Sequence, residues 1–363
     1  MTITGTHAID RAVSLTVQAL RAAAHLDWSA PAAGLEWSCH ETAVHVVNDF
    51  VVYATRISER LADGFAPIER YTAPGAAPSA VVDAIEAAGR KLTAAVSAAD
   101  PDDRAWHPYG TSDADGFAAM GVVEALLHTH DILDGLGTPD FEPDPELCAY
   151  ALDRLFPHVP RDAGDAAAWP TLLWATGRAE LAGLPRQTVW RWYADPVPAG
   201  DRIVLCEISP DVATDLAAGG TGGFTWAADG PFEGTRAAAG MTAKAYAEGA
   251  YRPGWGPYAV IRTHDRRAVG GIGFHGAPDA DGHAEVGYDL VPSARGNGYA
   301  TEALRGLTAR AFGQPGLTAL HASVDDGNAP SHAVLLRAGF ERTGAADGTV
   351  RYALRPAPGP AGQ

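Results

Sequence analysis

Two groups of residues in this chain have the types and spacing to do chemistry. The first is Arg295-Gly296-Asn297-Gly298-Tyr299-Ala300. Two glycines in one short turn let the backbone pass close to a bulky ligand with no Cβ in between. Where such a turn opens a helix, the first N–H groups lack partners inside the helix, and the helix dipole favours negative charge at that end. Arg295 adds a fixed positive charge, so the chemistry is phosphate or pyrophosphate binding. The second group is Glu124 and His128, with His45 far upstream. Their i,i+4 spacing puts a carboxylate and an imidazole on one helix face. A second helix can set His45 against that face, giving two nitrogens and one oxygen, a donor set suited to zinc or a similar divalent ion. Asp131 and Asp49 follow the two histidines closely enough to orient them. On spacing alone, a Glu–His pair on a helix is more often a solvated face.

These residues need elements to hold them. Residues 284–290 alternate as a half-buried strand does, and residues 299–312, rich in Ala, Leu and Arg, read as a helix, so the glycine turn joins strand to helix. Residues 1–190 read as mostly helical, with apolar residues at helical spacing over 9–26, 38–62, 80–97, 116–136, 145–155 and 171–182. Ser38 and Glu41 form a capping box. Residues 71–79 and 100–115 read as loops. Trp190 and Trp192 mark a packed segment. From Arg202 onward short strands alternate with helices, as a mixed α/β sheet requires. The reading is a helical domain over 1–194, a Pro-rich linker over 195–200, an α/β domain over 201–355 and a disordered Pro/Gly-rich tail over 356–363.

Composition narrows the partners. A chain of 363 residues favours two domains. The net charge is −17; residues 1–200 carry 13 basic and 27 acidic side chains, and residues 201–363 carry 14 and 17. That balance disfavours nucleic-acid backbone binding in the first half and gives it no support in the second. The apolar runs are too short and broken to span a membrane, and residues 1–10 lack a secretory pattern. Cys39, Cys148 and Cys206 show no metal or redox spacing and suit small buried side chains in a reducing cytoplasm. Only Lys91 and Lys244 are lysines among 27 basic residues, a coding bias expected of a GC-rich genome.

Arg295, Gly298 and Ala300 occupy the three fixed places of the acyl-CoA pyrophosphate loop of the GNAT acetyltransferase superfamily, Gln/Arg-x-x-Gly-x-Gly/Ala. The string from Glu285 through Val286-Gly287-Tyr288 and Pro292 to Leu304 resembles the RimJ/RimL-like branch. Downstream, Asn328-Ala329-Pro330-Ser331 and Val334 to Phe340 resemble the family's second CoA motif, Asn-x-x-Ser before a helix ending in Gly-Phe. The resemblance implies an α/β GNAT fold, a mixed, mostly antiparallel sheet flanked by helices. It implies acetyl-CoA as donor, with its pyrophosphate on Arg295, Gly296, Asn297, Gly298, Tyr299 and Ala300. The pantetheine arm would thread between splayed strands at 284–290 and 318–324, its thioester near the backbone of Leu290 and Val291. Asn328 would bind the arm, and Glu285 would take the acceptor's proton through water. Many relatives protonate the leaving thiolate with a Tyr on the last helix; this sequence offers Ser331 there instead. The acceptor would be a small-molecule amine or a protein N-terminus.

The helical half resembles the DinB-like superfamily through Trp37, His45, Glu124, His128 and Asp131-Ile132, over roughly residues 8–190. The nearest match is the metal-binding domain of mycothiol-dependent maleylpyruvate isomerases. It implies an all-α helix bundle with a divalent metal, zinc foremost, on His45, Glu124 and His128, and mycothiol as a thiol partner. Those isomerases carry a small C-terminal domain of their own where this chain has an acetyltransferase, so isomerase activity does not carry over. Three readings follow: an N-acetyltransferase with a metal-binding module, a metal- and mycothiol-dependent transferase or isomerase, or an acetyltransferase whose helical half is a structural or dimerisation module. Oligomer formation stays open.

Overall fold

The computed structural model describes residues 3–61, 72–73, 75–160, 168–184, 186–188 and 190–356. The chain divides into two compact units, Met1–Phe156 with Ala163–Asp195, and Pro157–Asp162 with Pro196–Gln363. No helix among the described residues is long and apolar enough to cross a membrane.

The first unit is built from α1 (Gly5–Ala23), α2 (Cys39–Glu59), α3 (Pro78–Ala98), α4 (Ala114–Gly135), α5 (Pro145–Leu155) and α6 (Ala168–Ala175). Between Gly116 and Leu133 only His130 is not buried, so α4 is the bundle's central helix, buried on every side, with Glu124, His128 and Asp131 as polar residues inside the unit. α1, α2, α3 and α5 pack against it. Glycines allow the close crossings: a Cβ on Gly89 would lie 2.6 Å from Val13, and one on Gly121 2.7 Å from Leu92. The Ser38–Glu41 capping box opens α2, and Asp113 caps α4 by accepting from the Gly116 N–H at 2.7 Å. The first helix starts at Gly5, ahead of the expected residue 9, because Gly5 is buried against Ala118 and Tyr150. The helix expected over 171–182 stops at Ala175; Gly177, at φ 69°, turns the chain left-handed just beyond it.

His107 shows how this core responds to acid. Its ring is buried among Tyr53, Phe117 and Trp192, with centroids 5.8, 6.2 and 5.9 Å away. Burial, with Arg56 nearby, pushes its pKa down to about 4. An unfolded His titrates near about 6.5, so the unfolded chain binds the extra proton between those values. The stability from the neutral ring is whole above that upper value and is lost as pH falls toward the lower one. From pH 7 to pH 5 the expected loss is about 2 kcal/mol. Urea unfolding of wild type and His107→Gln at both pH values checks this: the difference between them should change by that amount, and parallel behaviour would contradict it.

The second unit holds β1 (Val197–Ala199), β2 (Ile203–Glu207), α7 (Pro210–Ala217), α8 (Glu233–Ala247), β3 (Pro257–Arg262), β4 (Ala268–Phe274), β5 (His283–Leu290), α9 (Tyr299–Phe312), β6 (Ala319–Asp325), α10 (Ala329–Arg337), β7 (Glu341–Ala346) and β8 (Thr349–Leu354). The sheet order is β1-β2-β3-β4-β5-β6-β8-β7, antiparallel except where β5 runs parallel to β6. Leu205, Val260, Val286 and Leu320 of the sheet share one hydrophobic core with Leu304 and Leu307 of α9. Residues 195–200, expected as a linker, instead supply edge strand β1, paired to β2 from Val197 to Ala199. A proline is tolerated there because an edge strand has one side with no ladder partner. Pro356 closes the described chain; the rest of the expected tail lies outside the described residues.

Candidate functional site

β5 and β6 pair only through His283, Ala284 and Glu285, matched to Ala319, Leu320 and His321. Beyond that β5 continues to Leu290 and β6 to Asp325 with no further pairing between them. On its other side β5 pairs with β4 from Val286 to Leu290. Glu285 O accepts from the His275 N–H at 2.9 Å, and the Val291 N–H donates to Val269 O at 2.9 Å. Strand alternation therefore turns the backbone groups of Val286, Tyr288 and Leu290 toward the opening. A parallel pair that separates part-way leaves a wedge with polar backbone along one wall, suited to an extended amide-bearing ligand.

The glycine turn stands at the wide end of this wedge. Gly296 and Gly298 both have positive φ, 78° and 83°, and Gly298 is the N-cap of α9. No side chain caps that helix. Its first-turn N–H groups thus face outward, as anion binding requires. Arg295 is held by Nε donating to Leu290 O at 3.0 Å, with its guanidinium over the Phe232 ring. Asn297 ties the turn internally, Nδ2 donating to Ala294 O and Arg295 O, both at 3.1 Å. Arg202 carries no motif that would single it out in the sequence. It pairs with Glu302 in the first turn of α9 and donates to Asn297 O at 3.1 Å. It thereby offsets a carboxylate at the end of the helix where an anion would bind.

The remaining predicted residues fall at different points along the wedge. Val291 is fully buried, and its N–H is already used by Val269, so it has no amide to offer a thioester. Glu285 sits where the strands still pair, and Leu290 lies five residues on, about 16 Å away at the rise of an extended strand. The two cannot both border one reaction centre. Asn328 is the N-cap of α10, its Oδ1 accepting from the Ser331 N–H at 3.2 Å. Ser331 is linked across the wedge by its carbonyl, which accepts from the Tyr288 hydroxyl at 3.1 Å. Burial pushes the Tyr288 pKa up to about 12, so the hydroxyl keeps its proton at neutral pH. In the sequence Tyr288 enters only as part of the string from Glu285 to Leu304, with no role of its own.

A cavity of about 280 Å³ opens beneath α8, on the sheet face that Glu285, Gly287 and Asp289 share. Its floor includes Gly271, Gly273 and Gly287, and its walls Met241, Trp255 and His275. The Asp289 carboxylate accepts from Thr235 N and Oγ1 and from Gly271 N, at 2.9, 2.7 and 3.0 Å, fixing α8 over the cavity. A Cβ on Gly273 would come within 2.4 Å of Pro257. Nothing in the local sequence reveals this floor, because it depends on the register of two strands, β4 and β5.

The first unit brings His45, Glu124 and His128 together, their ligand atoms all within 4.8 Å of one another. Glu124 Oε2 lies 3.0 Å from His128 Nε2 and 3.4 Å from His45 Nε2. Asp131 Oδ2 lies 3.0 Å from His128 Nδ1, and Arg178 clamps Asp131 with bonds of 2.7 and 2.9 Å. This carboxylate fixes the ring so that Nε2 points at Glu124. Burial alone would push Glu124 up, but its bonds to His128 and His45 hold it well below the usual carboxylate range. Burial would lower His128, yet Asp131 and Glu124 raise it to about 9. Asp49 differs from expectation: it reaches His45 Nε2 at 3.1 Å, the same nitrogen as Glu124, so it stands inside the cluster and not behind the ring. Burial and the Glu124 charge push its pKa up to about 7.

Residues 202–341 match the sequence model of a known family, the acetyltransferase (GNAT) domain. Among curated proteins, the chain is 32% identical over 90 residues to the uncharacterized N-acetyltransferase YoaA of Bacillus subtilis, covering 25% of this chain and 49% of that protein. It is 31% identical over 87 residues to the uncharacterized N-acetyltransferase p20 of Bacillus licheniformis, covering 24% and 49%. The chain thus spans about half the length of the curated relatives it matches. Among solved structures, a GNAT-family acetyltransferase from Bacillus anthracis shares 19% identity, covering 44% of this chain and 98% of that one, with a TM-score of 0.32. An acetyltransferase from Salmonella typhimurium that modifies the N-terminal serine of ribosomal protein L7/L12 shares 17%, covering 45% and 100%, with a TM-score of 0.34. The C-terminal part of the chain carries a GNAT acetyltransferase domain.

Proposed function

We propose that the second unit transfers the acetyl group of acetyl-CoA to an amine. The observation that carries this reading is the β5/β6 wedge opening onto an uncapped, glycine-led helix N-terminus. The pyrophosphate binds the turn from Arg295 to Ala300. The pantetheine arm runs down the wedge past Leu290, and the thioester lies deeper, near Gly287 and Tyr288, beside the cavity under α8. That cavity is at the small end of ligand sites, which favours a small amine over a protein N-terminus. Tyr288 hands a proton toward the departing thiolate, with Ser331 as its neighbour. Titration calorimetry with acetyl-CoA, paired with native mass spectrometry, tests the reading. Binding in the range of enzyme substrates, tighter than about 1 mM, is the expected result, and none at that concentration would remove it.

The His45–Glu124–His128 cluster favours a second activity in the first unit, a helix bundle of DinB-like type. Its donor set, two imidazole Nε2 atoms and a carboxylate oxygen with Asp131 behind one ring, fits a zinc-class ion with an open position. Such an ion would supply Lewis acidity to a bound thiol such as mycothiol, or to water. The chain's own residues hold the donors in place: Arg178 fixes Asp131, and Asp131 fixes the tautomer of His128.

A further inference from the structure

His275 follows the last residue of β4, on the same sheet face as Glu285 and Gly287. Its backbone N–H is anchored to Glu285 O at 2.9 Å. Its ring stands between two cavities, the one of about 280 Å³ under α8 and a second of about 390 Å³ that Glu285 also lines. Nδ1 faces the Glu285 carboxylate, 3.5 Å from Oε2. Nε2 faces the other way, over Gly287, where a Cβ would lie 2.9 Å from it. Gly287 is in regular strand, and a glycine there weakens the strand unless another group needs the space. Here the imidazole takes that space. Glu285 itself is not among the residues around the cavity under α8, whereas His275 is.

We propose that His275, not Glu285, is the catalytic base that takes the proton from the acceptor amine, and that Glu285 is its positioning residue. The inference rests on the acetyl-transfer reading above. Nδ1 lies 3.5 Å from Glu285 Oε2; closing that distance into a hydrogen bond from Nδ1–H would leave the Nε2 lone pair toward the amine, the arrangement a histidine base needs. The acceptor enters as R–NH3+ and gives one proton to Nε2. The free amine forms the new C–N bond at the thioester carbonyl, and the C–S bond breaks. The second nitrogen proton reaches the thiolate sulfur by way of Tyr288, giving the amide, CoA thiol and one proton on His275, which passes to solvent. Other titratable or charged groups face the ring from both sides. Asp279, His283 and His321 share the outer cavity with Glu285, and Asp289, Tyr251 and Arg252 line the inner one.

The test uses the full chain with acetyl-CoA and phenethylamine, a primary amine that suits the Met241, Trp255 and Phe274 walls. In His275→Ala kcat should fall about 100-fold or more, with acetyl-CoA affinity unchanged, and added imidazole should restore part of the rate. Glu285→Gln should fall less, and Glu285→Asp should recover. Gly287→Ala, whose methyl displaces the ring edge, should lower kcat with no titrating group removed. A variant need not turn over for the second readout. In ¹⁵N-histidine spectra, the resonance lost in His275→Ala should show the Nδ1–H tautomer in wild type, lose that preference in Glu285→Gln, and shift with phenethylamine. His275→Ala at the wild-type rate, or a His275 resonance blind to both Glu285→Gln and the amine, would overturn the proposal while leaving acetyl transfer standing. Loss of acetyl-CoA binding by wild type would remove the reading beneath it instead.

Discussion

Gly298→Asp should weaken acetyl-CoA binding by about thirtyfold or more, some 2 kcal/mol, in a protein whose sheet still folds. Two effects combine. Gly298 is at φ 83°, where any side chain adds strain, although Asp tolerates that region better than most residues. The new carboxylate also stands at the helix end where the pyrophosphate would bind, and two anions repel there. One local feature works against the effect: a Cβ at this position would lie 3.6 Å from the Arg202 guanidinium, which can partly neutralise the added charge. Arg202 already serves Glu302, so pairing it with the introduced carboxylate would release the Glu302 charge onto the same helix turn. Gly298→Ala separates the two effects, since it adds the strain without the charge and should cost less. Calorimetry at low and high salt completes the test. The excess loss in the Asp variant should shrink with salt, because screening acts on charge and not on strain. Equal affinity for wild type and the Asp variant would mean that the turn does not hold phosphate.

The parts of this site that lie close together along the chain are legible in the sequence. Gly296 and Gly298 announce a turn because positive φ and close approach are properties of one or two residues. The Ser38–Glu41 capping box spans a single helical turn, and the structure forms both of its bonds. Glu124 and His128 share a face by helix geometry alone. What is not legible depends on pairing between distant segments. His275 reads as one of several histidines on strands or loops of the second half until β4 and β5 are in register, which places it over Gly287 and beside Glu285. The glycine floor under α8 exists only once Gly271, Gly273 and Gly287 come from neighbouring strands. Tyr288 gains meaning when α10 brings Ser331 O to its hydroxyl. Val291 misleads for the same reason, since its N–H is committed to a residue on another strand. The Pro-rich stretch at 195–200 reads as a linker because proline weakens a strand signal, but an edge strand tolerates it.

His128→Ala should abolish metal uptake by the first unit, the largest change expected anywhere in the chain. His128, Glu124 and His45 hold one another through Nε2 and Oε2 at 3.0 and 3.4 Å. Those are the atoms a divalent ion would draw on. Removing one imidazole leaves two first-choice donors, too few for tight binding by a zinc-class ion. Asp49, already 3.1 Å from His45 Nε2, can offer a substitute oxygen, so His128→Ala/Asp49→Asn is the stricter variant. Asp131→Asn acts one step further out. It keeps all three donors but weakens the hold on His128 Nδ1, and an affinity loss of about 10- to 100-fold is expected. The second unit has its own hydrophobic core, so acetyl-CoA binding should persist in all of these variants. Elemental analysis after purification without chelator, repeated after reconstitution with zinc, is the deciding measurement. Wild type should carry close to one equivalent. If it retains less than about a tenth of an equivalent even then, the buried His–Glu cluster is a packing and hydrogen-bonding device, and the helical unit is structural.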